Sequence, residues 1–419
     1  MRHFVRIPLQ SRNQLQFTGI LSLQSPSCSV RVIFDTGSSD SWIFRPIDTN
    51  SNDQRSENFF GIKYGGGIVS GFATVTNVHF GSPRLFLYDV LLGFVTDETL
   101  NLLPLDIQGV VGLGMEALAQ FSNNLGFLSR LEQHERPFIF SFFISSSTNA
   151  QPSSQLIIGG DDPALASINT TWITFPVVST TQLYSRESTR DEHNWGFWIV
   201  QYNYLTFNES TLSFNGFALL DSGTSLLLLP LSTFNSVVQM LSAYFGTRFY
   251  LNTNWKQSLP ACRRCMVNDF PLITFHIVVS ENISQQIELH GSDYVRCDPH
   301  RHECTALIDT IHPSEFPHQM NVMILGTLFF RAYYTRFDYS NKQVSLACIL
   351  DSPTICRGGL HQALDYSGQL IEPKHEIQQS SRQILTGVYA AITALVLLAG
   401  IRGFLYTLSK RKFKHIHNS

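Results

Sequence analysis

Along most of this chain apolar residues recur in short runs with a period near two, and the runs are bounded by clusters of Gly, Pro, Asn, Asp and Ser. Residues 15–23, 30–34, 68–80 and 85–94 are examples, and runs of this kind predict β-strands joined by turns. Helical spacing is scarce. Residues 230–244 predict one helix, because Pro230 suits a first turn and Phe234, Val237, Val238 and Leu241 recur at helical intervals. Residues 115–132 form a second helical candidate. The Ser- and Gln-rich stretch 145–155 reads as a surface loop.

The alternation gives way near the C-terminus to an uncharged run of 18 residues, 384–401. At helical rise it would extend roughly 27 Å, near the thickness of a thin hydrocarbon core. Arg402 ends the strict run, but the chain stays apolar to Leu408, and an Arg at that depth can snorkel. A cluster follows of Lys410, Arg411, Lys412 and Lys414. Basic flanks mark the cytoplasmic side, which places the body in the lumen or outside the cell. The polar stretch 370–383, with Pro373, reads as a stalk. The first ten residues have a basic start but no apolar core of a leader, so the favoured expectation is an entry signal that this sequence does not include, the alternative being that the anchor itself directs insertion.

A repeat organises the body. Val32-Ile33-Phe34-Asp35-Thr36-Gly37-Ser38-Ser39 is echoed 186 residues later (221 minus 35) by Ala218-Leu219-Leu220-Asp221-Ser222-Gly223-Thr224-Ser225. A second echo pairs the apolar stretch 107–114 with 322–326, each ending at Gly. Two copies of one unit predict a duplicated domain. An apolar strand delivering Asp into a Gly turn sets a carboxylate at the edge of a core, where a substrate can approach. Two such loops facing each other would bring two carboxylates close enough to share a proton. One carboxylate then accepts a proton from water while the other donates to a carbonyl. Thr36 and Ser222 can bond to the opposite loop, and Ser38 and Thr224 can donate to the outer carboxylate oxygens.

Composition narrows the classes. The 419 residues are 43% hydrophobic and 15% charged, which is globular and long enough for two cores. A formal net charge of -3, with no basic stripe in the body, argues against a nucleic-acid partner. The 32 Phe are expected to fill strand-rich cores. Of the seven Cys, Cys28 stands alone, while Cys262, Cys265, Cys297, Cys304, Cys348 and Cys356 cluster late and point to disulfides in an oxidising compartment. The alternative for Cys262-Arg263-Arg264-Cys265 is half of a zinc site, although no matching CxxC follows it. Acceptor triplets for N-glycosylation begin at Asn169, Asn208 and Asn282.

The two Asp motifs resemble those of the pepsin family of aspartic proteases over roughly residues 16–347. Phe34–Phe44 (FDTGSSDSWIF) is similar to the first active-site motif, with Trp42 at the family's tryptophan, and residues 219–230 (LLDSGTSLLLLP) to the second. Residues 62–71 (IKYGGGIVSG) resemble the flap, which makes Tyr64 the counterpart of the flap tyrosine, with Gly65 beside it. Residues 156–163 and 324–347 match two further landmarks. The resemblance implies a mainly β, bilobal pepsin-like fold, with the active site in the cleft between two related lobes, 1–178 and 179–369. It is followed by the stalk, a C-terminal transmembrane helix over 384–408 and a cytoplasmic tail over 409–419. It implies an aspartic endopeptidase with Asp35 and Asp221 catalytic, supported by Thr36, Gly37, Ser38, Ser222, Gly223 and Thr224, and with Tyr64 and Gly65 on the substrate-binding flap. Its substrates would be proteins or peptides cleaved at acidic pH, its cofactor none, its metal none, and its catalytic unit a monomer. The alternative is a catalytically silent pepsin-like binding protein. The C-terminal anchor resembles those of the β-secretases and of the anchored aspartic proteases of apicomplexan parasites.

Departures from the family pattern carry their own expectations. The interval from Asp35 to Tyr64 is short and lacks the usual small disulfide loop. Thr327 stands where many relatives have Asp, which is expected to shift the pH optimum. Residues 5–9 (VRIPL) resemble the start of a propeptide, with about a dozen residues following. The clusters Cys262/Cys265 and Cys297/Cys304 match the family's second-lobe disulfide region and imply two nested bridges. Cys348–Cys356 is a third pair, which leaves Cys28 single.

Overall fold

The computed structural model describes residues 4–365 except 25–27, 45–57, 65–66, 82–83, 99–102, 123–124, 135–136, 146–151, 166–171, 180–194, 254–257, 282, 312–320, 353–354, 357–358 and 361–363. The alternating runs become strands close to their predicted bounds, as Gln16–Leu23, Cys28–Asp35, Gly67–Phe80 and Leu85–Glu98. All four belong to one eight-stranded sheet built from the first part of the chain. A nine-stranded sheet is built from strands between Ile199 and Asp365. The fold is mainly β, consistent with the bilobal expectation.

The duplication is visible in the strand pairing. Cys28–Asp35 runs parallel to Gly109–Gly112, and Trp42–Phe44 pairs antiparallel with that same strand. In the second half Ser210–Leu220 runs parallel to Val322–Leu325, which Leu227–Leu229 flanks antiparallel. Each Asp loop therefore joins two strands that enclose a third. The central strand is almost wholly buried, so it must be apolar, which is why the echoes at 107–114 and 322–326 look alike.

A six-stranded sheet draws on both halves. Its order is Val5–Pro8, Gln155–Ile158, Ile139–Phe143, Tyr333–Asp338, Gln343–Cys348 and Ile173–Pro176. The propeptide-like residues are thus its edge strand, fixed by Arg6, which donates to Asp162 at 2.7 Å. Gln155, assigned above to a loop, opens the next strand. Phe residues fill this region as expected. Phe140 stacks on Phe337 with centroids 4.8 Å apart and meets Trp198 edge-on at 5.6 Å.

The helix expected over 230–244 is Leu231–Phe245, with Pro230 as its N-cap residue. Its buried face is Thr233, Val237, Leu241 and Phe245, so Phe234 and Val238 lie to the side of the expected stripe. The helix expected over 115–132 is a correction. Among the described residues Glu116–Leu118 is a 3-10 turn, Leu125 is also in 3-10 conformation, and Phe127–His134 is helical, while residues 119–122 are not. The backbone of the first part is engaged elsewhere: between the two pieces Asp40 accepts from the N–H groups of Gln120 and Ser122, and at the 3-10 turn the Met115 and Ala117 N–H groups donate to Gly196 and Trp195. Those bonds displace the i to i-4 ladder.

Two bridges form, but side by side rather than nested. Cys297 and Cys304 face each other across the hairpin Val295–Asp298/Glu303–Ala306, and Cys262 joins Cys265 across a turn in which Arg264 takes a positive φ of 56°. Local chain reversal sets both pairings. Cys348 is also disulfide-bonded, and Cys28 is free. The side chain of Cys356 lies outside the described residues. Cys262 and Cys265 being bridged removes the zinc half-site, and among the described residues no group of three or more His, Cys, Asp or Glu is placed to hold a metal. No helix among them is long and apolar enough to cross a membrane. The run 384–401, its stalk and the basic tail lie outside the described residues.

One buried base makes a testable demand. His276 is packed against the Tyr204 ring, centroids 3.7 Å apart, and burial lowers its pKa from the ordinary value to about 4. Its folded pKa lies below its unfolded value of about 6.5, so the stabilisation is complete above pH 6.5 and is lost as pH falls through the window down to 4. That loss is up to about 3 kcal/mol. His276→Phe should lose less stability between pH 7 and pH 4 than the parent does. Unfolding midpoints with identical pH slopes would count against the assignment.

Candidate active site

Asp35 is the last residue of its strand, and Asp221 follows Leu220 directly at the end of its own. Strand register therefore fixes both carboxylates before any side chain chooses a rotamer. The Asp35 carbonyl accepts from the Leu113 N–H at 2.7 Å, and the Asp221 N–H donates to Leu325 at 3.1 Å, so each central strand clamps its Asp.

The two loops meet through a reciprocal set of four hydrogen bonds. The Thr36 hydroxyl donates to the Leu220 carbonyl at 2.8 Å and accepts from the Ser222 N–H at 2.9 Å. The Ser222 hydroxyl donates to the Phe34 carbonyl at 2.6 Å and accepts from the Thr36 N–H at 3.0 Å. Both hydroxyls are buried, so no water competes for these groups. Buried amides and carbonyls need partners, and here each loop supplies the other's.

The carboxylates are held alike. Asp35 Oδ1 accepts from the Gly37 N–H at 2.9 Å and Oδ2 from the Ser38 hydroxyl at 2.5 Å. Asp221 Oδ1 accepts from the Gly223 N–H at 2.8 Å and Oδ2 from the Thr224 hydroxyl at 2.6 Å. The Oδ1 atoms are turned toward the opposite loop. A Cβ on Gly223 would lie 2.4 Å from Asp35 Oδ1, and one on Gly37 would lie 2.7 Å from Asp221 Oδ1. Only Gly fits at either place. Burial pushes the Asp35 pKa well up, and the neighbouring Asp221 charge and its hydrogen bond push it further, against the opposing bonds from Ser38 and Gly37. A carboxyl in this setting keeps its proton when an isolated one would have lost it.

Tyr64 closes the strand Asn58–Tyr64 of the flap hairpin, whose return strand is Gly67–Phe80. Its hydroxyl accepts from Trp42 Nε1 at 2.7 Å, and burial raises its pKa. Asp35 and Ser38 lie close enough to influence the Tyr64 hydroxyl, so the structure brings the predicted flap residue to the Asp35 loop. Gly65 lies outside the described residues. Every other predicted site residue converges on the two loops.

Three residues help to hold the site in ways not read from the sequence. Asp40 is buried, and both its oxygens accept backbone N–H groups of residues 120–122, which fixes the loop beside Ser39 and Trp42. Trp198 Nε1 donates to the Leu113 carbonyl at 2.7 Å, next to the strand that clamps Asp35. Thr327, noted only for its departure from Asp, donates to the Leu15 carbonyl at 2.7 Å and to Ser225 at 3.2 Å. It ties the second loop to the first strands of the chain. The second acid in Asp35-Thr36-Gly37-Ser38-Ser39-Asp40 was a signal for Asp40. Neither Trp198 nor Thr327 carried one.

Comparison with known proteins agrees with this geometry. The family model for eukaryotic aspartyl proteases matches residues 16–349. The chain is 25% identical over 373 residues to cathepsin E-B of Xenopus laevis, covering 84% of this chain and 84% of the relative. It is 27% identical over 370 residues to pepsin A of Rhinolophus ferrumequinum, covering 81% and 83%. To cathepsin D of Dictyostelium discoideum it is 26% identical over 368 residues, covering 81% and 85%.

Proposed function

Because the chain belongs to the eukaryotic aspartyl protease family and is an aspartic endopeptidase, we propose that Asp35 and Asp221 are its catalytic pair, acting at acidic pH from a membrane-anchored body on the lumenal or outer face. The observation that carries the reading is the mutual facing of the two carboxylates, with the Asp35 pKa raised by burial and by Asp221.

Two carboxyls that share one proton can pass protons in both directions at once. One accepts a proton from a water seated between them, which attacks the scissile carbonyl carbon. The other donates to the carbonyl oxygen, and a tetrahedral diol forms. Return of a proton to the amide nitrogen then breaks the C–N bond. Gly37, Gly223, Ser38 and Thr224 keep the four oxygens fixed, so little reorganisation is needed at the moment of reaction. Low pH keeps the shared proton in place.

Tyr64 sits at the edge of this pair, held by Trp42. Its part is to cover the substrate and exclude water rather than to move protons. Tyr64→Ala should lower kcat/KM by on the order of 10²-fold, less than loss of either Asp, while Tyr64→Phe costs less again. Unchanged turnover and unchanged inhibitor affinity in Tyr64→Ala would show that the tyrosine does not cover the site.

The remaining parts of the reading rest on the sequence. The lobes divide as 1–178 and 179–369, the catalytic unit is monomeric, and the chain crosses the membrane once over 384–408 with 409–419 in the cytoplasm. Bridged cysteines at 262, 265, 297 and 304 favour an oxidising lumen. Two assays on the full chain test the proposal. Cleavage of an unfolded protein at acid pH should be blocked by a statine-type mimic of the diol. In sealed microsomes a tag after Ser419 should be digested from outside while the body survives until detergent is added. Digestion of the body first would invert the topology, and absence of cleavage would leave a silent binding protein.

A further inference from the structure

Strands Ile199–Phe207 and Ser210–Leu220 are joined by a two-residue turn, Asn208-Glu209, with Phe207 paired to Ser210. Asn208 holds a φ of 55°, a left-handed conformation that Asn tolerates better than most residues. Its N–H donates to the Leu272 carbonyl at 2.6 Å. The backbone is thus pinned to the neighbouring segment, while residues 208, 209 and 210 are all exposed. Asn208-Glu209-Ser210 is one of the acceptor triplets, and the proteolytic mechanism has no use for it.

Beside Asn208 opens a cavity of about 580 Å³, bounded also by Ser210, Met240, Tyr244, Pro271 and Leu272. Its volume is in the range of small-ligand sites. Tyr244 is 63% exposed, although its ring is braced edge-on against Phe245 at 5.0 Å. An exposed aromatic at the wall of a concave site offers its ring face to whatever occupies the site. Asn268 and Asp269 add polar groups to the same wall. A pyranose ring has the matching character, with an apolar C–H face for the aromatic and a rim of hydroxyls for the polar groups.

We propose that Asn208 is N-glycosylated and that the cavity beside it seats the first sugars of its own glycan, with an N-acetylhexosamine stacked on Tyr244. In the transfer the Asn208 side-chain nitrogen bonds to the anomeric carbon of a lipid-pyrophosphate-linked oligosaccharide. The bond from that carbon to the pyrophosphate oxygen breaks, the lipid pyrophosphate leaves, and the amide proton passes to the base of the cell's transferase. The sugar covers apolar surface that the chain itself leaves bare. Glycosylation in the native cell rests on the lumenal placement proposed above; the capacity of the site does not.

The test therefore supplies the entry route. The full chain is expressed behind a cleavable leader in a eukaryotic cell that N-glycosylates, and glycopeptides are mapped by mass spectrometry. The peptide bearing residue 208 should carry the glycan, and Asn208→Gln and Ser210→Ala should each abolish it. On the native protein, an endoglycosidase that cuts within the chitobiose core should trim this glycan at least about tenfold more slowly than on the Tyr244→Ala variant. Tyr244→Phe should keep the protection, and a normal far-UV spectrum for both variants shows that they are folded. Asn208 left bare in a sample whose Cys297–Cys304 bridge is oxidised overturns the site. Equal trimming of parent and folded Tyr244→Ala overturns the seat. Failure of the lumenal reading is a separate result, read by protease protection of the chain without the added leader.

Discussion

Asp35→Asn and Asp221→Asn are each expected to lower kcat/KM for peptide cleavage by on the order of 10³- to 10⁴-fold while leaving the fold intact. Asn nearly matches Asp in shape, so the bonds from Gly37 or Gly223 to the inner oxygen survive, but an amide cannot take part in the proton exchange. Stability supplies a second readout for Asp35. Its folded pKa is raised above the unfolded value, so its favourable contribution is fully present below the unfolded pKa and is lost as pH rises through the folded pKa. Asp35→Asn should therefore raise the unfolding midpoint relative to the parent at pH 7 and do so much less at pH 3. His276 predicts the opposite slope, which makes the two effects separable. Cleavage at parental rates by purified Asp35→Asn protein would remove the pair from the mechanism.

The second large effect concerns the bonds that hold the loops together. Thr36→Val keeps the volume but removes one hydroxyl that both donates to Leu220 and accepts from Ser222. Two buried backbone groups would then lack partners, at a cost of about 1–3 kcal/mol each. Ser222→Ala strips the mirror-image pair from Phe34 and Thr36. Each variant should lose roughly 2–4 kcal/mol of stability, and activity should fall with it as the carboxylates drift from their mutual geometry. Because the four bonds form one ring, the double variant should lose less than the sum of the singles, with a coupling of about 1 kcal/mol or more. Strict additivity in a thermal or denaturant cycle would mean that the two hydroxyls act independently.

Thr327 shows how far a single position can be read without the structure. As a departure from Asp it carried only an expectation about pH. In the structure its hydroxyl reaches back 312 residues to the Leu15 carbonyl, a partner that no local pattern indicates. Asp40 is similar: its proximity to Asp35 in the chain was visible, but its bonds to residues 120–122 arise only after folding. Those same bonds explain why helical spacing over 115–132 did not become a continuous helix. Tertiary partners for the N–H groups outbid local propensity there.

The sequence by itself determined the strands, the helix after the second Asp, the duplication and the identity of the candidate pair. These follow from local rules: period-two burial of side chains, a Pro that suits a helix start, and a Gly where the chain must turn beside a carboxylate. Tertiary structure alone decided which strands share a sheet, so that residues 5–8 lie beside 155–158 and 139–143 beside 333–338. It also decided that Cys262 and Cys265 close on each other, and that Thr36 and Ser222 exchange bonds across 186 residues. Alternation of apolar residues states which face of a strand is buried but not against what, and a hydroxyl's partner depends on where a distant backbone group comes to rest. The physical reason is that burial is a property of each residue, whereas pairing is a property of two.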